Sequence, residues 1–255
     1  MLELFFPIIS FLFGLSVGSF LNALIWRVQV GKSFFWKRSQ CPRCGHELIC
    51  LDLIPVFSFL FLFGRCRYCK RKISWQYPLV ELSTAFLFTL FYLKSAYFLK
   101  MGLLPLNLHF WLVIVLEWFL LAVLVVIFTY DAKHGLIPDK FSIPAIFVAF
   151  FGNFLLGENI WNIGFAATIG GGFFLVQYLI SRGRWIGGGD IRLGILMGAI
   201  LGYPNVISAL FLAYFIGAIY SIALVALRRK TLKSNIPLGP FLVTGTIIAM
   251  FLGDR

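Results

Sequence analysis

The chain holds two sets of side chains able to do chemistry, carboxylates at the edges of apolar segments and paired thiols. Asp131, Asp139 and Asp190 each stand at such an edge. An ionised carboxylate beside hydrocarbon is costly, so a membrane segment that carries one generally uses it. Asp190 closes the run Trp185-Ile186-Gly187-Gly188-Gly189-Asp190. Glycines let a second backbone come close, and a glycine-rich turn entering a helix offers free N–H groups to an anion. The same residues also describe a plain flexible turn with a helix N-cap. Asp139 follows Pro138 and equally suits a first-turn carboxylate favoured by the helix dipole.

The thiols are more specific. Cys41-Pro-Arg-Cys44 and Cys66-Arg-Tyr-Cys69 form two knuckles separated by 21 residues. Each short spacing lets a pair turn onto one ion, and four thiolates suit tetrahedral zinc. Redox-active or simply free thiols are the alternative. Cys50 stands unpaired, and His46 is a less favourable substitute ligand. A zinc ion would fold a loop too small to bury its own core. Between the knuckles, Leu51 to Gly64 is mostly apolar but too short to span a bilayer, so it lies at the interface or re-enters.

These groups must be positioned by membrane helices. The 255 residues are 60% hydrophobic and 13% charged, which is outside the range of a soluble domain. Eight apolar segments read as spans: 4–26, 78–98, 108–130, 141–156, 161–181, 191–203, 205–227 and 236–252. The first lacks a small-residue cleavage site and reads as a membrane helix rather than a signal peptide. The fourth, sixth and eighth are short for straight spans. The expected fold is thus an all-α polytopic membrane protein of about eight transmembrane helices with a cytoplasmic zinc-binding loop.

The net charge is +12. With the N-terminus outside, 19 of the 22 Lys and Arg residues fall on one face, leaving Lys94, Lys100 and Arg255 opposite. That asymmetry makes the basic face cytoplasmic and places Asp131, Asp139 and Asp190 there together. The charges sit in short loops between spans, which disfavours nucleic acid as a partner.

Several further residues bear on packing or function. Gly14 and Gly18 are four apart and allow close helix contact, and Asn22 must face another helix or the membrane boundary. Glu81, just inside the second span, is either functional or paired with loop arginines. Glu117 lies mid-span with no partner evident from sequence. Lys133 and His134 read as solvated. Gly194, Gly198 and Gly202 form a small-residue ridge, and Ile236-Pro237-Leu238-Gly239-Pro240 gives the last span a rigid entry.

Taken in order, these residues closely resemble the type IV prepilin peptidases, also called prepilin leader peptidase/N-methyltransferases. The resemblance covers nearly the whole chain. It runs through Gly18-Ser-Phe-Leu-Asn22, Cys41-Pro-Arg-Cys44-Gly-His46, Asp52-Leu-Ile-Pro55 and Gly64-Arg-Cys-Arg-Tyr-Cys69. It continues through Ile73-Ser-Trp-Gln-Tyr-Pro-Leu-Val-Glu81, Asp131 and Asp139 with Ile137-Pro138, Gly187-x-Gly189-Asp190 and Pro237-Leu-Gly-Pro240.

The resemblance implies a GxGD-type aspartic protease with Asp131 and Asp190 as catalytic pair, sharing one proton between base and acid. Gly187, Gly189, Asp139 and Glu81 would support the site, and Cys41, Cys44, Cys66 and Cys69 would hold structural zinc. It implies cleavage of type IV prepilins or pseudopilins at the cytoplasmic membrane face, within the lipid bilayer of the bacterial inner membrane. It also implies N-methylation of the new terminus with S-adenosylmethionine. Residues 1–100 would form the methyltransferase part and 101–255 a six-helix peptidase domain. The chain departs from the family pattern at Arg184, where a glutamate is common, at Arg192, where a lysine is common, and at Trp185 and Ile186. The competing readings are a peptidase that does not methylate, a transporter with Glu117 and the aspartates along a pathway, and a non-enzymatic membrane scaffold with a zinc-binding loop.

Overall fold

The structure is a computed structural model that describes residues 2–31, 38–102, 107–229 and 236–253. Among them every extended regular element is a helix, and β-pairing is limited to two isolated bridges, Gln40 with Glu47 and Arg65 with Lys72. Two compact units divide the chain, Met1–Leu106 and Asn107–Arg255.

The first unit contains α1 (Leu2–Gln29), the short α2 (Phe57–Phe61) and α3 (Gln76–Lys100). The two long helices pack face to face because α1 presents glycines where α3 comes closest. A Cβ on Gly14 would stand 2.5 Å from the Ala85 Cα, and one on Gly18 would stand 2.6 Å from the Glu81 Cα. Such contact is the main source of helix association in lipid, where apolar burial from water contributes nothing. Asn22 is buried and its Nδ2 donates to the Tyr77 carbonyl of α3 at 3.0 Å, while its Oδ1 has no hydrogen-bond partner among the described residues.

The second unit contains α4 (Leu108–His134), α5 (Asp139–Leu155), α6 (Ile160–Ser181), α7 (Gly188–Leu201), α8 (Asn205–Ala226) and α9 (Gly239–Leu252). Its interior is apolar and densely filled: Leu121, Leu124, Ile127, Leu193, Leu196 and Leu242 have essentially no exposed surface. Gly170 and Gly194 bring the backbones of α6 and α7 together, and Gly198 sits against Ala166. Gly202 does not continue that ridge. It takes φ +66° and caps α7, a left-handed position that favours glycine.

Each of the eight apolar segments is a helix. Five are long and apolar enough to cross a membrane: α1, α3, α4, α6 and α8. The other three, α5, α7 and α9, have 17, 14 and 14 residues, below the roughly 20 that a straight span requires. The chain is an all-helical, multi-pass membrane protein with five helices long and apolar enough to span and four shorter ones, α2, α5, α7 and α9, among the described residues. Pro138 and Pro240 fix two of the short starts, since proline is tolerated where a helix N–H has no partner.

Candidate active site and metal centre

Four chain segments of the second unit converge on the aspartates. Asp131 lies in the last turn of α4. Gly135 ends that helix at φ +65°, and its N–H bonds the Asp131 carbonyl at 2.8 Å. The next three residues, Leu136 to Pro138, connect to Asp139 at the first position of α5. Asp190 is in the first turn of α7, where its Oδ2 accepts the Gly187 N–H at 2.9 Å. That bond satisfies an otherwise free N–H and puts the carboxylate at the positive end of the helix dipole.

Asp131 is 4% exposed; the Gly239 N–H hydrogen-bonds its carboxylate, and its Oδ2 has no partner among the described residues. The Asp190 carboxylate is within electrostatic reach of it. The Gly239 backbone lies directly against the Asp131 carboxyl, and a Cβ there would collide with Oδ2. Pro237-Leu-Gly-Pro240 is therefore more than a rigid helix entry, since its glycine makes room for Asp131. Gly189 has a comparable role, because a Cβ on it would come within 2.9 Å of the Ile137 side chain. Gly187 contributes its N–H to Asp190.

Asp139 does not join this pair. Its carboxylate forms an ion pair with Arg192 on α7, tying the first turn of α5 to that of α7. His134 departs from the expected solvated side chain. Its ring lies against Tyr130, tilted by 45° with centroids 4.6 Å apart, and its Nε2 is buried without a hydrogen-bond partner among the described residues. Arg184 and Trp185 are exposed, whereas Ile186 is buried. Glu117 is buried within α4. Sequence reasoning missed Tyr214, on α8, which lies within electrostatic reach of Asp190 and exchanges 3.3 Å hydrogen bonds with Gln177 of α6. No spacing in the chain links these three residues, and only the packing of α6, α7 and α8 does so.

The first unit holds the thiols. Cys41, Cys44, Cys66 and Cys69 bring their Sγ atoms within 4.8 Å of one another. Four thiolates at about 2.3 Å from one tetrahedral ion would stand roughly 3.8 Å apart, so the cluster can hold a metal. Both knuckles are built alike. In the first, the Cys41 N–H bonds the His46 carbonyl and the Gly45 N–H bonds the Cys41 carbonyl, each at 2.9 Å. In the second, the Cys66 N–H bonds the Arg71 carbonyl at 2.9 Å and the Lys70 N–H bonds the Cys66 carbonyl at 3.0 Å. The residue after each second cysteine is left-handed, Gly45 at φ +72° and Lys70 at φ +59°.

These turns aim backbone N–H groups at sulfur. Burial pushes the Cys41 thiol up, but hydrogen bonds from the Cys44 and Arg43 backbones and from neighbouring thiols outweigh it and hold it at about 7. Burial raises the Cys66 thiol above its ordinary value. Cys50 lies outside the cluster. Asp52 joins the second knuckle to the segment between the knuckles. It accepts Arg67 Nε at 2.7 Å and the Tyr68 hydroxyl at 3.1 Å. The Tyr68 ring in turn packs against His46, tilted by 37° with 3.7 Å between centroids.

Glu81 is also in this unit and is buried. Its Oε2 accepts the Val56 N–H at 2.7 Å, and Ser19 hydrogen-bonds the same carboxylate. Loop arginines, one of the two alternatives the sequence left open for it, are not among these partners.

Fold and site together define a polytopic membrane protein with an aspartate pair in one helical unit and a four-thiol metal cluster in the other. Residues 7–95 match the bacterial peptidase A24 N-terminal domain, and residues 118–222 match the type IV leader peptidase family. The prepilin leader peptidase/N-methyltransferase of Bacillus subtilis (strain 168) is 32% identical over 252 residues, covering 96% of this chain and 94% of that protein. The proteins of the same name from Aeromonas salmonicida (strain A449) and Pseudomonas aeruginosa are 31% and 30% identical, over 98% of this chain and 92% and 91% of theirs. No solved structure matches the chain. The chain belongs to the type IV leader peptidase family.

Proposed function

We propose that this protein removes the leader peptide from type IV prepilins or pseudopilins and N-methylates the amino terminus so exposed. The observation that carries the peptidase reading is the buried Asp131 carboxylate within electrostatic reach of Asp190, where the end of α4 meets the starts of α7 and α9. The names of the relatives support both activities.

In this reading Asp131 and Asp190 share one proton. The ionised carboxylate takes a proton from water, and the resulting hydroxide attacks the scissile carbonyl carbon. The protonated partner donates to the carbonyl oxygen. Collapse of the tetrahedral adduct breaks the C–N bond, and the leaving nitrogen takes up a proton to depart as an amine. Gly187 and Gly189 keep side chains out of the approach to Asp190, so an extended substrate backbone can lie beside it. Asp139 and Arg192 fix the two helix starts that flank the pair. The substrate's apolar helix enters from the bilayer, and its basic leader stays at the cytoplasmic face that the Lys and Arg distribution defines.

In the same reading residues 101–255 are the peptidase and 1–100 the methyl-transfer part, a division supported by the two compact units, which part between Leu106 and Asn107. Bound there, S-adenosylmethionine would supply the methyl group, its S–CH3 bond giving way to an N–CH3 bond as the new terminal amine loses a proton. Asn22 Oδ1, buried without a partner, and Glu81, a buried carboxylate, fit the ammonium group that both the donor and the nascent terminus carry. Cys41, Cys44, Cys66 and Cys69 would hold a zinc ion, which would cross-link the loop. Incubating the purified protein in lipid with a prepilin-type substrate and S-adenosylmethionine tests this function. Mass spectrometry should find a shortened chain whose first residue is 14 Da heavier, the mass of one methyl in place of hydrogen. A shortened but unmodified chain would leave only the peptidase, and an intact chain would overturn both activities.

A further inference from the structure

The segment between the knuckles exposes more apolar surface than an aqueous loop can carry. Phe61 and Phe63 are 78% and 89% exposed, and Phe57, Leu60, Leu53 and Ile54 are exposed as well. A contiguous apolar run of this kind marks an interaction surface. Its underside is fixed by Phe59, which is buried against Trp75 with ring centroids 5.0 Å apart and against Gly64.

Two contacts set the depth of the segment. Trp75 immediately precedes α3, one of the spanning helices, and tryptophan favours the level of the lipid headgroups. Glu81 lies six residues further along, roughly 9 Å deeper at 1.5 Å per residue. The Val56 N–H reaches Glu81 Oε2 at 2.7 Å, so the segment enters the bilayer at least to that level. Val56 takes φ +62° to make the bond, a conformation that a β-branched residue adopts only when its surroundings enforce it.

We propose that residues 53–63 form a wedge inserted into the bilayer interface and that it seats the thiol cluster on anionic phospholipid. The wedge is continuous with the lipid-facing side of α3, where Leu79, Leu82 and Phe86 are exposed. Behind it, Arg65, Lys70, Arg71 and Lys72 are all exposed on the second knuckle, where cations complement an anionic leaflet. The cluster draws the two knuckles together and so closes the segment into a loop. An apolar insert flanked by cations is the arrangement of an interfacial anchor, whose binding combines buried apolar area with attraction to anionic lipid.

The full chain, reconstituted in vesicles of phosphatidylcholine and phosphatidylglycerol, would carry photoreactive benzoylphenylalanine in place of Phe61 or Phe63. A metal content equal to the parent's verifies the loop in each variant, and a probe at Leu60 replaces any that loses it. Illumination is expected to give chains heavier by one phospholipid, with phosphatidylglycerol enriched at least about threefold over its bulk share by the flanking cations. Changing Arg65, Lys70, Arg71 and Lys72 to Gln should return the adducts to the bulk ratio. Adducts to a second copy of the chain, or illumination without lipid adducts, would overturn the wedge. Lipid adducts at the bulk ratio in the parent would overturn the preference for anionic lipid.

Discussion

Arg192 on α7 is ion-paired with Asp139 on α5. One stands two residues after Asp190 and the other eight after Asp131, so the pair links the segments that carry the two aspartates. Its side chains are 39% and 50% exposed, and an exposed pair contributes only about 0–1 kcal/mol to stability. Its value lies in alignment. Asp139→Asn and Arg192→Gln should each lower the kcat/KM of leader cleavage by roughly tenfold, since small misplacements of reacting groups carry large rate penalties. The double variant should be no worse than the worse single variant, as expected when two changes remove one interaction. Multiplying losses would mean that the residues act separately.

Gly239→Ala places a methyl group against the Asp131 carboxyl. Cleavage should fall about a hundredfold by displacement of that carboxylate, while the metal content of the other unit stays at the parent level. Rate measurement beside metal analysis checks this, and near-normal cleavage would show that the contact has no role in the reaction.

The metal centre should weaken in acid. Each thiol must lose its proton to bind an ion. Cys41, held at about 7, ionises before Cys44, which is pushed up to about 11. Protons compete with the ion for each thiol, so affinity falls as the pH is lowered, and the fall steepens below about 7, where Cys41 also takes up a proton. Titration with zinc across pH 6 to 8 should show affinity rising with pH. Affinity independent of pH would argue against thiolate ligands.

Gly45 and Lys70 occupy matching left-handed positions after the second cysteine of each knuckle. A side chain in that conformation costs about 1–2 kcal/mol. Gly45→Ala should therefore release metal to a chelator faster than the parent. Lys70→Gly should retain metal longer, because the strain it relieves outweighs the backbone entropy it adds.

The helices were legible in the sequence because lipid demands long apolar runs with every backbone group bonded internally. The same logic showed α5, α7 and α9 to be short. Asp131 and Asp190 stood out because charge is rare in such runs, and the four cysteines because their spacing is specific. Contacts between distant helices left no local trace. Gly239 against Asp131, Tyr214 near Asp190 and Glu81 beneath Val56 depend on how elements pack, and no periodicity encodes them. Gly202 looked like a third member of a packing ridge because spacing cannot tell a helix glycine from a left-handed cap. His134 looked solvated because its position at a helix end did not reveal the Tyr130 ring beneath it.

Leader cleavage by Asp131→Asn and Asp190→Asn variants is the most direct measurement of the central claim. Each substitution keeps the side-chain shape and removes the carboxylate, so each purified variant should insert and hold its metal as the parent does. Cleavage of a prepilin-type substrate should fall below detection in both, because neither remaining group can act as base and acid alone. Robust cleavage by either variant would contradict an aspartate dyad.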